Sequence, residues 1–241
     1  MSALSVELKK KAIEVGFVSV GITSPEMLQD LPYGQVGELL RLRTPAEELQ
    51  AVKSVILLGW HAWDRTFSLN VDPPKDHAAG AHFESYFFCY EIMKNKAWVL
   101  VDFLRRRGFD AVWSLRIPLK TAAVESGLGS QGKNSLLITP EFGPRVMLIS
   151  VLTDAILETD LPSKEDLCND CDKCIRVCPT KAIDPYNLNI TRCMVYSSEC
   201  PDSTEVPDNV RHLEKKLFVR PTPTSFIECT RCIDVCPVGK R

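Results

Sequence analysis

Apolar residues recur at helical spacing in two stretches of the first 110 residues, and short apolar runs typical of strands lie between them. Residues 6–15 predict an amphipathic helix, and the run 17–22 that follows predicts a strand. Residues 54–60 predict a second strand. The clearest helical stretch spans residues 83–107 and ends in a basic turn followed by Gly108, a typical C-terminal cap. Helices and strands therefore alternate through this part of the chain.

The alternation continues beyond this helix. Residues 111–115 predict a strand, and residues 119–126 predict a short helix that runs into a turn with three glycines. The runs 135–139 and 145–153 are separated by Pro-Glu-Phe-Gly and predict a β-hairpin. Together these elements predict an α+β or α/β domain.

Cysteines are concentrated towards the C-terminal end. Of the ten cysteines, only Cys89 precedes residue 168. This change in composition predicts a domain boundary near residues 160–164, so we expect one domain at 1–160 and a second at 161–241. Cys89 lies among the aromatic residues of the long predicted helix, and we interpret it as a buried apolar cysteine.

Composition and charge narrow the function classes. Hydrophobic residues make up 45% of the chain and charged residues 25%, which is typical of a globular protein. The net charge of −2 provides no broad attraction to nucleic acid. The N-terminus lacks a secretory signal, and the apolar runs are too short to span a bilayer. We therefore expect a cytoplasmic protein with no membrane partner, in which the cysteines bind metal rather than form disulfides.

The strongest motif is a run of four closely spaced cysteines that ends in proline. Its members are Cys168, Cys171, Cys174 and Cys178. In bacterial ferredoxins this spacing, C-x2-C-x2-C-x3-C-P, holds one 4Fe-4S cluster with three thiolates, and the fourth thiolate ligates a second cluster. Paired cysteines also form zinc sites, but a zinc site does not explain the third cysteine and the C-P ending. The motif therefore predicts two clusters and electron transfer.

A second, incomplete run supplies further ligands. Its members are Cys229, Cys232 and Cys236. Phe226 occupies the place of a first cysteine. Two clusters need eight thiolates and the two runs contain seven, so the eighth is Cys193 or Cys200. In the crossed arrangement, Cys236 completes the cluster of the first three cysteines, and Cys178 joins the second run. We expect an oxygen-sensitive iron–sulfur protein of anaerobic metabolism.

A glycine loop (residues 127–135) follows the short predicted helix. Its candidate binding residues are Gly127, Gly129, Gly132, Lys133, Asn134 and Ser135. The glycines permit close approach of a ligand to the backbone, and the polar residues offer hydrogen-bond donors. The spacing mimics a dinucleotide fingerprint, but that motif follows a strand and opens a helix, whereas this loop does the reverse. Two interpretations stay open, an ordinary turn and a cofactor-binding loop.

Several motifs occur in a family-like order between residues 78 and 238. They are the glycine loop, Leu-Thr-Asp at 152–154, the four-cysteine run, Thr-Arg-Cys at 191–193 and the closing cysteine run. In this order the chain resembles epoxyqueuosine reductases and, more distantly, corrinoid-dependent reductive dehalogenases. The resemblance implies a nitroreductase-like α+β domain that binds cobalamin or another corrinoid, joined to a ferredoxin-like domain with two 4Fe-4S clusters. It also implies Cys193 as the eighth ligand.

The chain departs from these families at three points. Counted from Pro118, the acidic proton donor of epoxyqueuosine reductases corresponds to Leu115. The chain stops five residues after Cys236, where those enzymes continue into a helical-repeat extension that binds tRNA. It also lacks the twin-arginine export signal of respiratory dehalogenases. We therefore expect a truncated family member for which tRNA is not a partner.

The leading functional hypothesis is a corrinoid-dependent reductase. An external low-potential donor, such as ferredoxin or flavodoxin, would deliver electrons through the two clusters to the corrinoid, which would reduce a small-molecule substrate. By analogy with the dehalogenases, the candidate catalytic residues are Tyr86 and Arg116. The alternatives are a ferredoxin-like electron carrier or corrinoid-reducing activator without substrate chemistry of its own, and a flavin-dependent reductase on the same fold.

Overall fold

The computed structural model describes residues 2–31, 33–36, 40–61, 70–71, 88–200, 204–223 and 225–239. The helices are α1 (Ala3–Glu14), α2 (Pro45–Glu48), α3 (Phe88–Arg105), α4 (Leu119–Glu125), α5 (Lys173–Val177), α6 (Met194–Glu199), α7 (Asp208–Arg211), α8 (Glu214–Leu217) and α9 (Arg231–Asp234). The strands are β1 (Ser19–Thr23), β2 (Gly34–Val36), β3 (Leu40–Leu42), β4 (Ser54–His61), β5 (Asn70–Val71), β6 (Ala111–Ser114), β7 (Ser130–Gln131), β8 (Leu137–Ile138), β9 (Val146–Thr153), β10 (Ile183–Asp184), β11 (Asn187–Leu188), β12 (Val219–Thr222) and β13 (Ser225–Ile227).

A four-stranded antiparallel sheet in the order β1-β4-β9-β6 forms the centre of the fold. Side chains of β4 alternate between its two faces, as the pleat of a strand requires. Ile56 and Leu58 pack with α1 and α3 in one core cluster, whereas Val55 and Leu57 pack with α4 in the other. The strand is buried on both faces because helices cover both sides of the sheet.

The helix ends follow from local sequence. Ser2 caps α1, and its Oγ accepts a hydrogen bond from the backbone N–H of Ser5 across 3.2 Å. Gly108 follows α3 with a φ of 86°, a left-handed conformation that glycine adopts without strain. The predicted helices at 6–15 and 119–126 and the predicted strands at 17–22, 54–60 and 111–115 are confirmed within a few residues. The described part of the long predicted helix begins at Phe88, so its predicted first turn lies outside the described residues.

The predicted hairpin of residues 135–139 and 145–153 is wrong. Strand β8 pairs with β7, and β9 lies in the central sheet between β4 and β6. The isolated bridge between Thr139 and Gly143 closes the turn between them. The eight residues of β9 are largely apolar and are paired along both edges, with β4 on one side and β6 on the other. The resulting antiparallel sheet with helices makes the fold α+β rather than parallel α/β.

The cysteine-rich part has little apolar core of its own. Its described core cluster contains three buried residues, Met194, Val206 and Leu217. Strand β13 pairs with β5, so a strand of the N-terminal part extends the β12-β13 pair of this part. So small a core is stable only with further cross-links, which bound clusters would provide.

The segment predicted as a domain boundary is fixed to the N-terminal part. The Asp160 carboxylate accepts a hydrogen bond from the backbone N–H of Ile22 at 2.8 Å and pairs with Lys9. The backbone N–H of Ser163 donates to the carbonyl of Val124. The division into domains at 1–160 and 161–241 stays a prediction. None of the described helices is long and apolar enough to cross a bilayer.

Candidate functional site

Four cysteines form a first cysteine group, defined by Cys168, Cys171, Cys174 and Cys236. Burial raises the pKa of Cys174 and of Cys236, and the neighbouring Cys168 and Cys171 thiols raise both pKa values further by charge repulsion. Cys236 belongs to the second cysteine run. The two thiols that raise its pKa, those of Cys168 and Cys171, are the same two that raise the pKa of Cys174 in the first run. The fold therefore brings the end of the chain back to the first three cysteines.

A second cysteine group contains Cys178, Cys193, Cys229 and Cys232. Burial raises the pKa of Cys193 and Cys229, and it raises the pKa of Cys232 to about 12. Cys178 is a charged neighbour of all three. Cys174 of the first group is also a neighbour of Cys232, which places the two groups side by side.

Helix α6 separates the two cysteines that were candidates for the eighth ligand. Cys193 is its N-cap and Cys200 its C-cap, so they lie about 10 Å apart along the helix axis at 1.5 Å per residue. The Cys193 thiol is one of the groups whose charge raises the pKa of Cys229 and of Cys232, and Cys200 is not among those groups. Cys200 is instead fully buried. The structure thus brings Cys193, and not Cys200, to the second cysteine group.

Short helices hold the cysteine runs in place. Helix α5 carries Cys174, and α9 carries Cys232, and the two helices lie against each other. The backbone N–H of Cys171 donates to the carbonyl of Cys168 at 2.9 Å, which begins the turn that leads into α5. Asn169 has a φ of 45°, a left-handed conformation that Asn tolerates better than most residues.

The ligand geometry bears on the choice between zinc and a cluster. Among the described residues, no group of three or more Cys, His, Asp or Glu side chains converges closely enough to hold one metal ion. A single zinc ion requires such convergence, whereas a 4Fe-4S cluster places each thiolate on a different iron. Each cysteine group consists of four thiols, which is the ligand set of a 4Fe-4S cluster.

The glycine loop contacts both cysteine groups. The backbone N–H of Lys133 donates to Sγ of Cys168 at 3.4 Å, and Nζ of Lys133 pairs with Asp172 at 2.8 Å. Nδ2 of Asn134 donates to the carbonyl of Cys232 at 3.4 Å. Charge from Lys133 lowers the pKa of Asp172, chiefly through this hydrogen bond. The loop therefore links the N-terminal part to both cysteine runs.

The glycines of this loop are required by the packing of the chain itself. A Cβ on Gly129 would overlap the carbonyl oxygen of Ile138, and one on Gly132 would lie 2.6 Å from Cγ1 of the same residue. Gly127 has a φ of 76° and faces the carbonyl of Leu161. Ser135 differs, because its Oγ is buried and has no hydrogen-bond partner among the described residues. A ligand could satisfy this hydroxyl.

The remaining predicted site residues are not brought to the cysteines. Arg116 is exposed, and its backbone N–H donates to Oγ of Ser114 at 2.9 Å. Among the described residues, no hydrogen bond or ion pair joins Arg116 to a cysteine group. Leu115 is half-buried and packs against the core cluster of α1 and α3. Tyr86 lies outside the described residues.

Two cations near the cysteines were missed by sequence reasoning. Lys120, in the first turn of α4, has an exposed side chain overall, yet desolvation of its ammonium group lowers its pKa. The thiols of Cys193 and Cys232 oppose that shift. Arg145 is fully buried and contacts the second cysteine run. The sequence feature that could have drawn attention to Arg145 is its position directly before the apolar run of β9.

Comparisons with known proteins show which proteins this chain resembles. The 4Fe-4S binding domain family matches residues 163–184. The epoxyqueuosine reductase of Prochlorococcus marinus (strain NATL2A) is 27% identical over 260 residues, which cover 99% of this chain and 79% of that protein. The tetrachloroethene reductive dehalogenase of Dehalobacter restrictus is 32% identical over 167 residues, which cover 63% of this chain and 28% of that protein.

Solved structures show the same fold. The epoxyqueuosine reductase of Bacillus subtilis has a TM-score of 0.70 at 24% identity, covering 98% of this chain and 65% of that chain. A catabolic reductive dehalogenase in complex with 3-bromo-4-hydroxybenzoic acid has a TM-score of 0.59 at 19% identity. It covers 95% of this chain and 31% of that one. The chain thus spans just under two thirds of the reductase structure.

The prediction that tRNA is not a partner is wrong. A solved epoxyqueuosine reductase with an epoxyqueuosine-modified tRNA-Tyr stem loop covers 97% of this chain at a TM-score of 0.69. A net charge summed over a whole chain does not exclude a local RNA-binding surface, and the prediction relied on that sum and on where the chain stops. The chain is similar in sequence to epoxyqueuosine reductases along nearly its full length and to reductive dehalogenases over part of it, and these similarities together with the 4Fe-4S match indicate an iron–sulfur oxidoreductase.

Proposed function

We propose that this protein is a reductase with two 4Fe-4S clusters and a bound corrinoid. The observation that carries the proposal is the division of eight cysteines into two groups of four. Two cubane clusters need eight thiolates, and the crossed arrangement exchanges one cysteine between the sequence runs. Cys178 and Cys236 are the exchanged residues. The charge of the Cys178 thiol acts on Cys193 of the second group, and the charges of the Cys168 and Cys171 thiols act on Cys236.

The residues of each group fit a cluster. Each group consists of thiols only, and several of them are buried where a thiolate without a metal would be costly. Cys193 completes the second group from the N-cap of α6. We assign the clusters to the region 161–241, with the first group holding one and the second group the other.

The corrinoid is proposed for the region 1–160 on the family relationship and on two features of the glycine loop. The loop lies against both cysteine groups through Lys133 and Asn134. It also contains the buried hydroxyl of Ser135, which finds no hydrogen-bond partner among the described residues. When bound, a corrinoid supplies a cobalt that can be reduced to a nucleophile. The glycines do not carry this proposal, because the chain's own atoms fill the space beside them.

The substrate that the relatives favour is epoxyqueuosine in tRNA. The epoxyqueuosine reductase of Prochlorococcus marinus aligns with 99% of this chain, whereas the dehalogenase of Dehalobacter restrictus aligns with 63%. A small electrophilic molecule is the other substrate class. In either reaction Leu115 cannot supply a proton, so we propose Arg116 or bound water as the source. An external ferredoxin or flavodoxin would supply the electrons.

One observation favours a second function, that of an electron carrier or corrinoid-reducing activator. Leu115 stands where the resemblance places the acid of the reductases, and it packs against the apolar core. A protein without a proton donor could still pass electrons to a partner. A flavin-dependent reductase on the same fold is the third reading.

Anaerobically purified protein tests the proposal. Two clusters predict about eight iron and eight sulfide per chain, and four iron or stoichiometric zinc would contradict them. Added cobalamin should remain bound through gel filtration. Reduced protein is then offered an epoxyqueuosine-modified tRNA stem loop and, separately, small halogenated phenols. Retention of cobalamin without turnover of either substrate favours the activator, and retention of a flavin instead favours the flavin enzyme.

A further inference from the structure

The side chain of Arg145 lies inside the protein, against the end of the second cysteine run. It is the largest fully buried side chain of the described chain. Its guanidinium donates three hydrogen bonds to backbone carbonyls: to Ile233 at 3.1 Å, to Cys236 at 2.9 Å and to Val238 at 3.0 Å. One residue of the N-terminal part therefore holds the segment that carries the last ligand of the first cysteine group.

The backbones around Arg145 are packed as closely as glycine allows. A Cβ on Gly143 would overlap the carbonyl of Val238, and one on Gly239 would overlap the backbone of Gly143 and Phe142. Both glycines have positive φ, at 58° and 81°. The turn before β9 is therefore fitted against the C-terminal segment, and the position of Cys236 depends on it.

The charge of Arg145 has no carboxylate partner in the part of the chain that the structure describes. None of the ion pairs between described residues includes Arg145. Its Nε is buried and unpartnered within the described chain. The neighbouring His61 cannot compensate the charge, because an imidazole is either neutral or positively charged; burial and then Arg145 lower its pKa. A buried guanidinium without an anion is costly, so the site requires negative charge nearby.

The first cysteine group is where that negative charge would arise. The guanidinium of Arg145 donates to the backbone carbonyl of Cys236 at 2.9 Å, so its positive charge lies beside a member of this group. A 4Fe-4S cluster with four thiolates is anionic and gains a further negative charge on reduction. A cation in low dielectric stabilises the reduced form more than the oxidised form.

We propose that Arg145 is a positioning residue for the cluster of the first cysteine group. It holds the Cys236 ligand in place and, by its charge, raises the reduction potential of this cluster relative to the other. This inference rests on the proposed two-cluster function. Because its reduction potential would be the higher of the two, the cluster of the first cysteine group would be reduced in preference to the other.

The test compares Arg145→Gln, which removes the charge, with Arg145→Lys, which keeps it. Arg106→Gln is the matched control, because Arg106 directly follows α3, is 78% exposed and pairs with Asp102. Iron content and an anaerobic redox titration followed by electron paramagnetic resonance are measured for each protein. We expect Arg145→Gln to lower the midpoint potential of one cluster only, Arg145→Lys to restore most of it, and the control to match the wild type.

The outcomes separate the inference from the function on which it rests. Wild-type protein without eight iron refutes the two-cluster function itself. Eight iron in wild type and both variants, with unchanged potentials, overturns the role of Arg145. If Arg145→Gln does not fold, Arg145→Lys decides: a small lowering of the potential of one cluster only, with full iron, supports the role of Arg145, and unchanged potentials or an equal shift of both clusters overturn it.

Discussion

The backbone N–H of Lys133 points at Sγ of Cys168 across 3.4 Å, which joins the glycine loop to the first cysteine group. The next residue, Asn134, reaches the carbonyl of Cys232 in the second run. Hydrogen bonds to cluster sulfurs are one of the means by which proteins set reduction potentials. The loop that carries the proposed corrinoid residues is thus in direct contact with both cysteine runs.

The eighth ligand can be identified by paired substitutions. Cys193→Ser should lower the iron content and alter the reduced-state resonance signal of one cluster, because Cys193 lies in the second cysteine group. Cys200→Ser is the matched control at the other end of α6, and it should keep about eight iron per chain. Iron analysis and magnetic resonance of the anaerobic proteins provide the measurement. Iron loss in the Cys200 variant alone would assign the ligand to Cys200.

The buried hydroxyl of Ser135 provides a direct test of the corrinoid site. If a corrinoid accepts or donates a hydrogen bond there, Ser135→Ala should weaken cobalamin binding about two- to tenfold, the value of one hydrogen bond. Ser19→Ala is the matched control, since Oγ of Ser19 is also buried and unpartnered within the described chain but belongs to β1. Equilibrium dialysis measures both. Equal affinities for the two variants and the wild type would remove Ser135 from the site.

Gly129→Val is a poor test of the same site. Its side chain would overlap the carbonyl of Ile138 whether or not a corrinoid binds, so the variant should be destabilised in either case. Thermal unfolding of the cofactor-free protein would show that loss directly.

Cys89 should be chemically inert in the folded protein. It is fully buried on α3, and burial raises its pKa to about 11 from the ordinary value of 9.0. At pH 8 the folded protein should therefore not be alkylated at Cys89, whereas the denatured protein should, as measured by mass spectrometry. Cys89→Ala should leave the iron content unchanged.

The same pKa shift has a defined sign for stability. Between about pH 9 and pH 11 the unfolded chain loses the Cys89 proton while the folded chain retains it. The contribution of the neutral thiol to stability is therefore complete below pH 9 and is lost as the pH rises through 11. Denaturant unfolding at pH 8 and pH 10 should show a larger loss for the wild type than for Cys89→Ala. Equal losses would contradict the shift.

Local patterns were sufficient for most of the N-terminal elements. The short, almost continuous apolar run of β4 predicts a strand that is buried on both faces, and all of its residues except the last are buried. The predicted hairpin is wrong because two adjacent apolar runs do not indicate which strands they pair with. Strand β9 pairs with β4 and β6, whose residues lie about 90 and 40 positions earlier in the chain.

The sequence by itself determined the chemistry of the cysteines, because spacing within a run of ten residues is a local property that a single turn and helix preserve. Only the tertiary structure decided which thiols lie together: it brings Cys236 to Cys168 and Cys193 to Cys229, and it moves Cys200 to the far end of α6. It also decided the placement of Arg145, a charged residue that the sequence alone does not show to be buried. Three carbonyls that are distant in sequence converge on its guanidinium, and such contacts arise only from long-range packing.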